Sequence, residues 1–163
     1  MAPKGYRIRM MEPGEAEALH RLRQEADAGQ TRPSLAEFVG FLVSHEIFVA
    51  AAKKTGEVVG YAAARDAVEL YLVVEIKVRP SLGDTAVAQS LLDVVTQRAR
   101  WFHHRAIGLW TPLDSANDSS CYGKHGFMNV SRKDFPVGLQ DELEPAPGHP
   151  ETTANRQFRV KWL

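Results

Sequence analysis

Cys121 is the single cysteine among 163 residues, so no disulfide can form within the chain. That fits a reducing compartment, and a cytoplasmic protein is expected. No apolar run approaches the ~20 residues of a membrane-spanning helix, and the opening MAPKGYRIRM carries no signal-peptide core. No membrane association is therefore expected. Charge of one sign is missing too, because 20 basic and 20 acidic side chains cancel, and with it the electrostatic footprint of a nucleic-acid binder. No Cys or His spacing suits zinc, so no metal is expected. There is no internal repeat. A chain of this length suits one domain, 1–163, with a sizeable core.

What the chain does have is concentrated in Val68 to Arg100. Val, Ile, Leu and Tyr fill most of Val68 to Val78, as in a strand packed on at least one face. Pro80 ends it. Beyond Gly83, Val87, Leu91, Val95, Ala99 and Phe102 recur at helical spacing, so a helix starts near Asp84 or Thr85. A strand turning sharply into a helix leaves backbone N–H groups free at the positive end of the dipole, a geometry that binds phosphate.

Around this stretch the elements follow in order. Tyr6 to Met11 alternates like a half-buried strand, and Ala18, Leu19, Leu22 and Ala26 stripe a helix over Glu15 to Ala28 that Gly29 stops. Ser34 is placed as N-cap of a second helix, with Glu37 completing a capping box, and the helix carries Leu35, Phe38, Val39 and Leu42. Ile47 to Ala52 and Val58 to Ala64 read as a hairpin around Lys54-Thr-Gly-Glu57. After the central helix come a strand from Ala106 to Leu113, a short helix around Asn117 to Lys124, and strands at Phe127 to Arg132 and Phe158 to Trp162.

Between Pro136 and Arg156 lies a Pro- and Gly-rich acidic loop. No Lys or Arg occurs from Asp134 to Asn155, and at about twenty residues the loop is long for a strand connection. It reads either as a solvated acidic loop or as a flap favouring a cationic acceptor.

Two motifs resemble those of the GNAT superfamily of acyl-CoA-dependent N-acyltransferases. The first is Val78-x-Pro80 with a short loop and a helix carrying Leu91-Leu92. In that family the loop reads Gln/Arg-x-x-Gly-x-Gly/Ala, and its amides hold the CoA pyrophosphate. Those positions fall here on Leu82 or Gly83, then Asp84, Thr85, Ala86, Val87 and Ala88. The basic residue and most glycines are replaced, and Asp84 sets a carboxylate beside the expected pyrophosphate. The second, Ser115-Ala-Asn-Asp-Ser-Ser-Cys-Tyr122-Gly-Lys-His-Gly126-Phe127, is similar to Asn-x-x-Ala-x-x-x-Tyr-x-x-x-Gly-Phe, with Ser115 standing where the family has Asn. The resemblance covers roughly Tyr6 to Phe135. It implies an α/β (α+β) fold, a mixed central sheet of about seven strands flanked by about four helices. It also implies acetyl-CoA as co-substrate, a small-molecule primary amine as acceptor, and a homodimer, for which the strand ending Arg159-Val-Lys-Trp162-Leu is a candidate interface. Trp162 has core packing as its other reading.

Acyl transfer to an amine needs a proton acceptor for the amine, a donor to the carbonyl oxygen and a proton for the departing thiolate. Glu75 and Glu69 are the carboxylates on the central strand, and Glu75 is preferred because family members carry a glutamate three residues before Val78. Alternation places Glu69, Tyr71, Glu75 and Lys77 on one face and Leu70, Leu72, Val74, Ile76 and Val78 on the other. A Glu75–Lys77 surface ion pair is the structural alternative. The backbone at Ile76, Lys77 and Val78 is the expected polariser of the carbonyl. Tyr122 is the thiolate's donor by resemblance, or else a tyrosine bonded in the core. Cys121 reads as a small buried hydrophobe and His103-His104 as a helix end. Arg79 either substitutes for the missing basic residue or flanks a strand end. The altered phosphate loop supports a rival class: a GNAT-fold module that binds a small molecule or a protein without transferring acyl groups.

Overall fold

The computed structural model describes residues 3–27, 33–67, 70–82, 86–112, 125–135, 143 and 156–163. One mixed sheet is built from β1 (Tyr6–Met10), β2 (Glu46–Ala52), β3 (Val58–Ala67), β4 (Leu70–Val78), β5 (Ala106–Pro112), β6 (Met128–Val130) and β7 (Arg156–Trp162). The strands lie in the order β1-β2-β3-β4-β5-β7-β6. All neighbours are antiparallel except β4 and β5, which run parallel. A parallel pair needs a crossover, and α3 (Ala86–Trp101) supplies it. Two further helices, α1 (Ala16–Ala26) and α2 (Leu35–Val43), connect β1 to β2. No helix among the described residues is long and apolar enough to cross a membrane.

Local chemistry explains these boundaries. The Ser34 hydroxyl accepts the Glu37 N–H at 3.2 Å and donates to the Glu37 carboxylate at 3.1 Å, fixing the start of α2. The β2–β3 hairpin closes where Ala52 N–H donates to the Glu57 carbonyl at 2.8 Å. Gly56 there adopts φ +75°, which glycine tolerates without strain. At the end of α3, His103 takes φ +59°, and His104 Nδ1 lies 3.3 Å from the Ala99 carbonyl, so the histidine pair does form the helix end.

The sheet is covered on both faces. Leu19, Leu22, Phe38, Phe41 and Leu42 of α1 and α2 pack on Ile47, Val49, Tyr61 and Leu72. Opposite, Val87, Leu91, Val95 and Ala99 of α3 meet Phe48, Ala62, Val73, Ile107 and Leu109. Leu143, within the acidic loop, is buried in the first of these layers, and its carbonyl accepts the Trp110 indole N–H at 2.9 Å. The loop is therefore tied to the core at that residue rather than wholly solvated.

Several expectations are refined or corrected. On α2, Phe41 joins Phe38 and Leu42 in the core, while Leu35 and Val39 face outward. Phe38 and Phe41 stack at 5.9 Å, and the Phe38 ring meets Tyr61 edge-on at 6.3 Å. Phe102 follows the end of α3 and is 60 % exposed, with the Arg98 guanidinium 3.3 Å from its ring centre. Trp162 is 66 % exposed, so the core reading fails. Among the described residues three α-helices stand; about four were expected. The fourth, around Asn117 to Lys124, lies outside the described residues.

Candidate active site: a parted strand pair and a buried charge network

The parallel strands β4 and β5 are paired only from Leu70 opposite Ala106 to Val73 opposite Leu109. Both continue beyond that point, to Val78 and Pro112. Among the described residues, the pairing of β4 with β5 ends at Val73, so the backbone at Ile76 and Val78 has no described strand beside it there. A 3-10 turn at Pro80–Leu82 follows the end of β4 and precedes α3.

The pairing of β4 with β3 shows which way these groups turn. Arg79 N–H donates to the Val59 carbonyl at 2.8 Å, with Gly60 opposite Val78 and Tyr61 opposite Lys77. Alternation along an antiparallel pair turns the peptide groups of Lys77 toward β3 and those of Ile76 and Val78 away from it.

Just before these residues the register with β3 slips. Ala63 faces Glu75 but Ala64 faces Val73, which leaves Val74 as the extra residue of a β-bulge. The bulge overturns the alternation expected from sequence. Before it, Leu70, Leu72 and Val74 point toward α1 and α2, and Tyr71 and Val73 toward α3. After it the parity inverts: Ile76 and Val78 pack on the α3 side, and Glu75 and Lys77 join the α1 side.

Glu75 is consequently buried, 6 % exposed, and the expected surface pair with Lys77 is corrected to an interior network. The Tyr61 hydroxyl donates to Glu75 Oε1 at 2.6 Å. Arg23 Nη2 lies 3.2 Å from Glu75 Oε2, and Arg23 Nε lies 3.6 Å from Asp27 Oδ2. Neither Arg23 nitrogen is aligned for a hydrogen bond, so these contacts are ionic. Lys77 Nζ donates to Asp27 Oδ1 at 2.7 Å. Burial, then the Glu75 charge, pushes the Tyr61 phenol well above its ordinary range and keeps it a donor. The Arg23 guanidinium also lies 5.5 and 5.6 Å from the Phe38 and Phe41 ring centres.

Sequence reasoning missed Arg23, Asp27 and Tyr61. A signal was present: Arg23 lies four residues after Leu19 and Asp27 four after Arg23, which sets both on the inner stripe of α1. Among the cofactor candidates, Ala86, Val87 and Ala88 form the first turn of α3, where Val87 turns into the core and Ala86 and Ala88 are half-buried. Arg79 sits at the end of β4, 2.8 Å from Glu57 and 3.6 Å from Glu25, so two carboxylates hold it as a strand-end residue. Gly83, Asp84, Thr85, Ser115, Tyr122, Cys121 and Glu69 lie outside the described residues. No described group of His, Cys, Asp and Glu could hold a metal ion.

No protein-family model and no curated protein matches the chain. Solved structures do. An acetyltransferase from Streptococcus agalactiae superposes with a TM-score of 0.75 at 17% identity, over 99% of this chain and 100% of that one. A GNAT family acetyltransferase from Elizabethkingia anophelis with acetyl-CoA bound gives 0.69 at 18% identity, over 99% and 100%. The ribosomal-protein-S18-alanine N-acetyltransferase of Escherichia coli gives 0.73 at 15% identity, over 96% and 93%. The chain has the GNAT fold, with its seven-stranded mixed sheet.

Proposed function

We propose that this protein transfers an acetyl group from acetyl-CoA to a primary amine of a small molecule. The observation that carries the reading is the backbone of β4 at Ile76 and Val78, beyond Val73 where the described pairing with β5 ends and shortly before the start of α3. The pantetheine arm is an extended amide chain, suited to pairing with a strand. The Ile76 and Val78 N–H groups, turned away from β3, are the donors for the thioester carbonyl oxygen. At the start of α3, the backbone N–H groups of Ala86, Val87 and Ala88, with Gly83, Asp84 and Thr85 before them in sequence, are the candidates to hold the pyrophosphate. Ser115, at the position of the family asparagine, is a further candidate for cofactor binding by resemblance. A solved GNAT-fold structure with acetyl-CoA bound supports the choice of cofactor.

In the reaction the amine nitrogen attacks the thioester carbon, forming the C–N bond as the C–S bond breaks. The amine's proton passes to Glu75, directly or through water, and Tyr122 gives a proton to the CoA thiolate. The β4 amides stabilise the charge that builds on the carbonyl oxygen. The test is calorimetric titration with acetyl-CoA and with CoA. Micromolar binding of acetyl-CoA is expected, with Asp84→Gly tightening it by relieving a like charge worth about 1 kcal/mol. Asp84 itself favours the second reading, a binding module that has lost the cofactor, and absence of binding at high acetyl-CoA would establish that instead.

A further inference from the structure

We propose that Arg23 is a positioning residue for this site: from α1 it holds the β4 bulge that aims the Ile76 and Val78 amides. The inference rests on the transferase reading for its purpose but not for its geometry.

A bulge is the point at which a ladder of hydrogen bonds does not set the strand. Val74 is the extra residue there, so contacts outside the ladder must hold β4 in this register. The two side chains that follow on the same face are Glu75 and Lys77. Their partners on α1 are Arg23 and Asp27, with Tyr61 of β3 adding its 2.6 Å hydrogen bond to Glu75.

The spacings match. Residues i and i+2 of a strand are about 6.7 Å apart, and residues i and i+4 of a helix rise about 6 Å. Glu75 and Lys77 therefore meet Arg23 and Asp27 as two rungs, with alternating charges joined across the rungs by the 3.6 Å Arg23–Asp27 contact. Arg23 is the member that touches every layer involved, with Glu75 on β4, Asp27 on its own helix, and Phe38 and Phe41 on α2. Were the bulge to shift by one residue, Glu75 would turn into the apolar α3 layer among Val59, Ala62 and Leu91, where a charge has no partner of this kind.

The experiment compares wild type with Arg23→Met and with Arg23→Lys, which keeps the charge but loses the planar fork spanning two carboxylates. Two readouts are taken. Amide hydrogen exchange of the ligand-free protein is expected to quicken at the β3-facing amides of Glu75 and Lys77 in both variants while β5 stays as in wild type. Calorimetry is expected to show unchanged affinity for CoA and a loss of roughly tenfold in the preference for acetyl-CoA over CoA, about 1.4 kcal/mol. Wild-type exchange at Glu75 and Lys77 in Arg23→Lys would overturn the proposal, as would a retained acetyl preference in either variant. Should Arg23→Met fail to fold, Arg23→Lys decides alone. Should wild type bind neither ligand, the transferase reading falls and the exchange result still decides the role of Arg23.

Discussion

Along α1 and at its C-cap, Arg23 and Asp27 place two buried charged side chains beside the core residues Leu19 and Leu22. Removing one partner of a buried pair leaves the other uncompensated, at a cost of about 3–5 kcal/mol. Arg23→Met should therefore lose that much stability in urea unfolding, whereas Arg23→Met with Glu75→Gln should recover most of it. Fully additive losses would show that the two charges do not act as a pair. A milder case lies at the start of α1, where both Glu15 oxygens accept from Arg9 at 2.9 Å and Oε1 also takes the Glu12 N–H at 2.7 Å. The Arg9 hydrogen bonds come first among the causes that hold the Glu15 carboxyl below the ordinary glutamate range. A folded-state value below the unfolded one means that the stabilisation is full above the unfolded range and is lost as pH falls through the folded value. Glu15→Gln should lower stability by about 1 kcal/mol at neutral pH, and its unfolding curve should converge with that of wild type in acid.

At the scale of elements, the paired halves of β4 and β5 leave little room at Gly108. Gly108 sits opposite Leu72 at the third of the four paired positions, and a Cβ there would lie 2.6 Å from the Phe158 ring and 3.3 Å from Leu70. Gly108→Ala should cost about 1–3 kcal/mol, read as a lower melting midpoint, because the ring also packs on Trp110 and Phe135, which must shift with it. No sequence pattern announces that glycine, since the ring it accommodates comes from a strand fifty residues later. The elements themselves were legible. Strand and helix periods located the described strands and helices to within a few residues, and Ser34 with Glu37 marked the start of α2. Register was not legible: one extra residue at Val74 inverts the parity of everything after it, and a single strand read alone carries no mark of its partner. The inward face of α2 was not legible for a related reason, because a helix apolar on nearly every side does not reveal which side its neighbours will cover.

For the molecule as a whole, binding to the folded state alone must appear as added stability. Acetyl-CoA at a hundred times its Kd should add about 2.7 kcal/mol, a rise of roughly 5–10 °C in Tm for a domain of this size. Dephosphorylated pantetheine should add far less if the start of α3 holds the pyrophosphate. An equal rise with both would remove that helix start from the site.

Order along the chain, composition and two short motifs were enough for the fold class, because element order and hydrophobic period are local properties that survive wide changes in sequence. They were also enough to single out Glu75 and the β4 backbone as places of interest. What only the tertiary structure decided is how those residues are held. The bulge sends Glu75 into the α1 layer, Arg23 and Asp27 meet it there, and the described pairing of β5 with β4 ends at Val73, each a relation between segments distant in the chain. Such relations are set by packing and by the requirement that buried charges find partners, and neither acts along a sequence read one residue at a time.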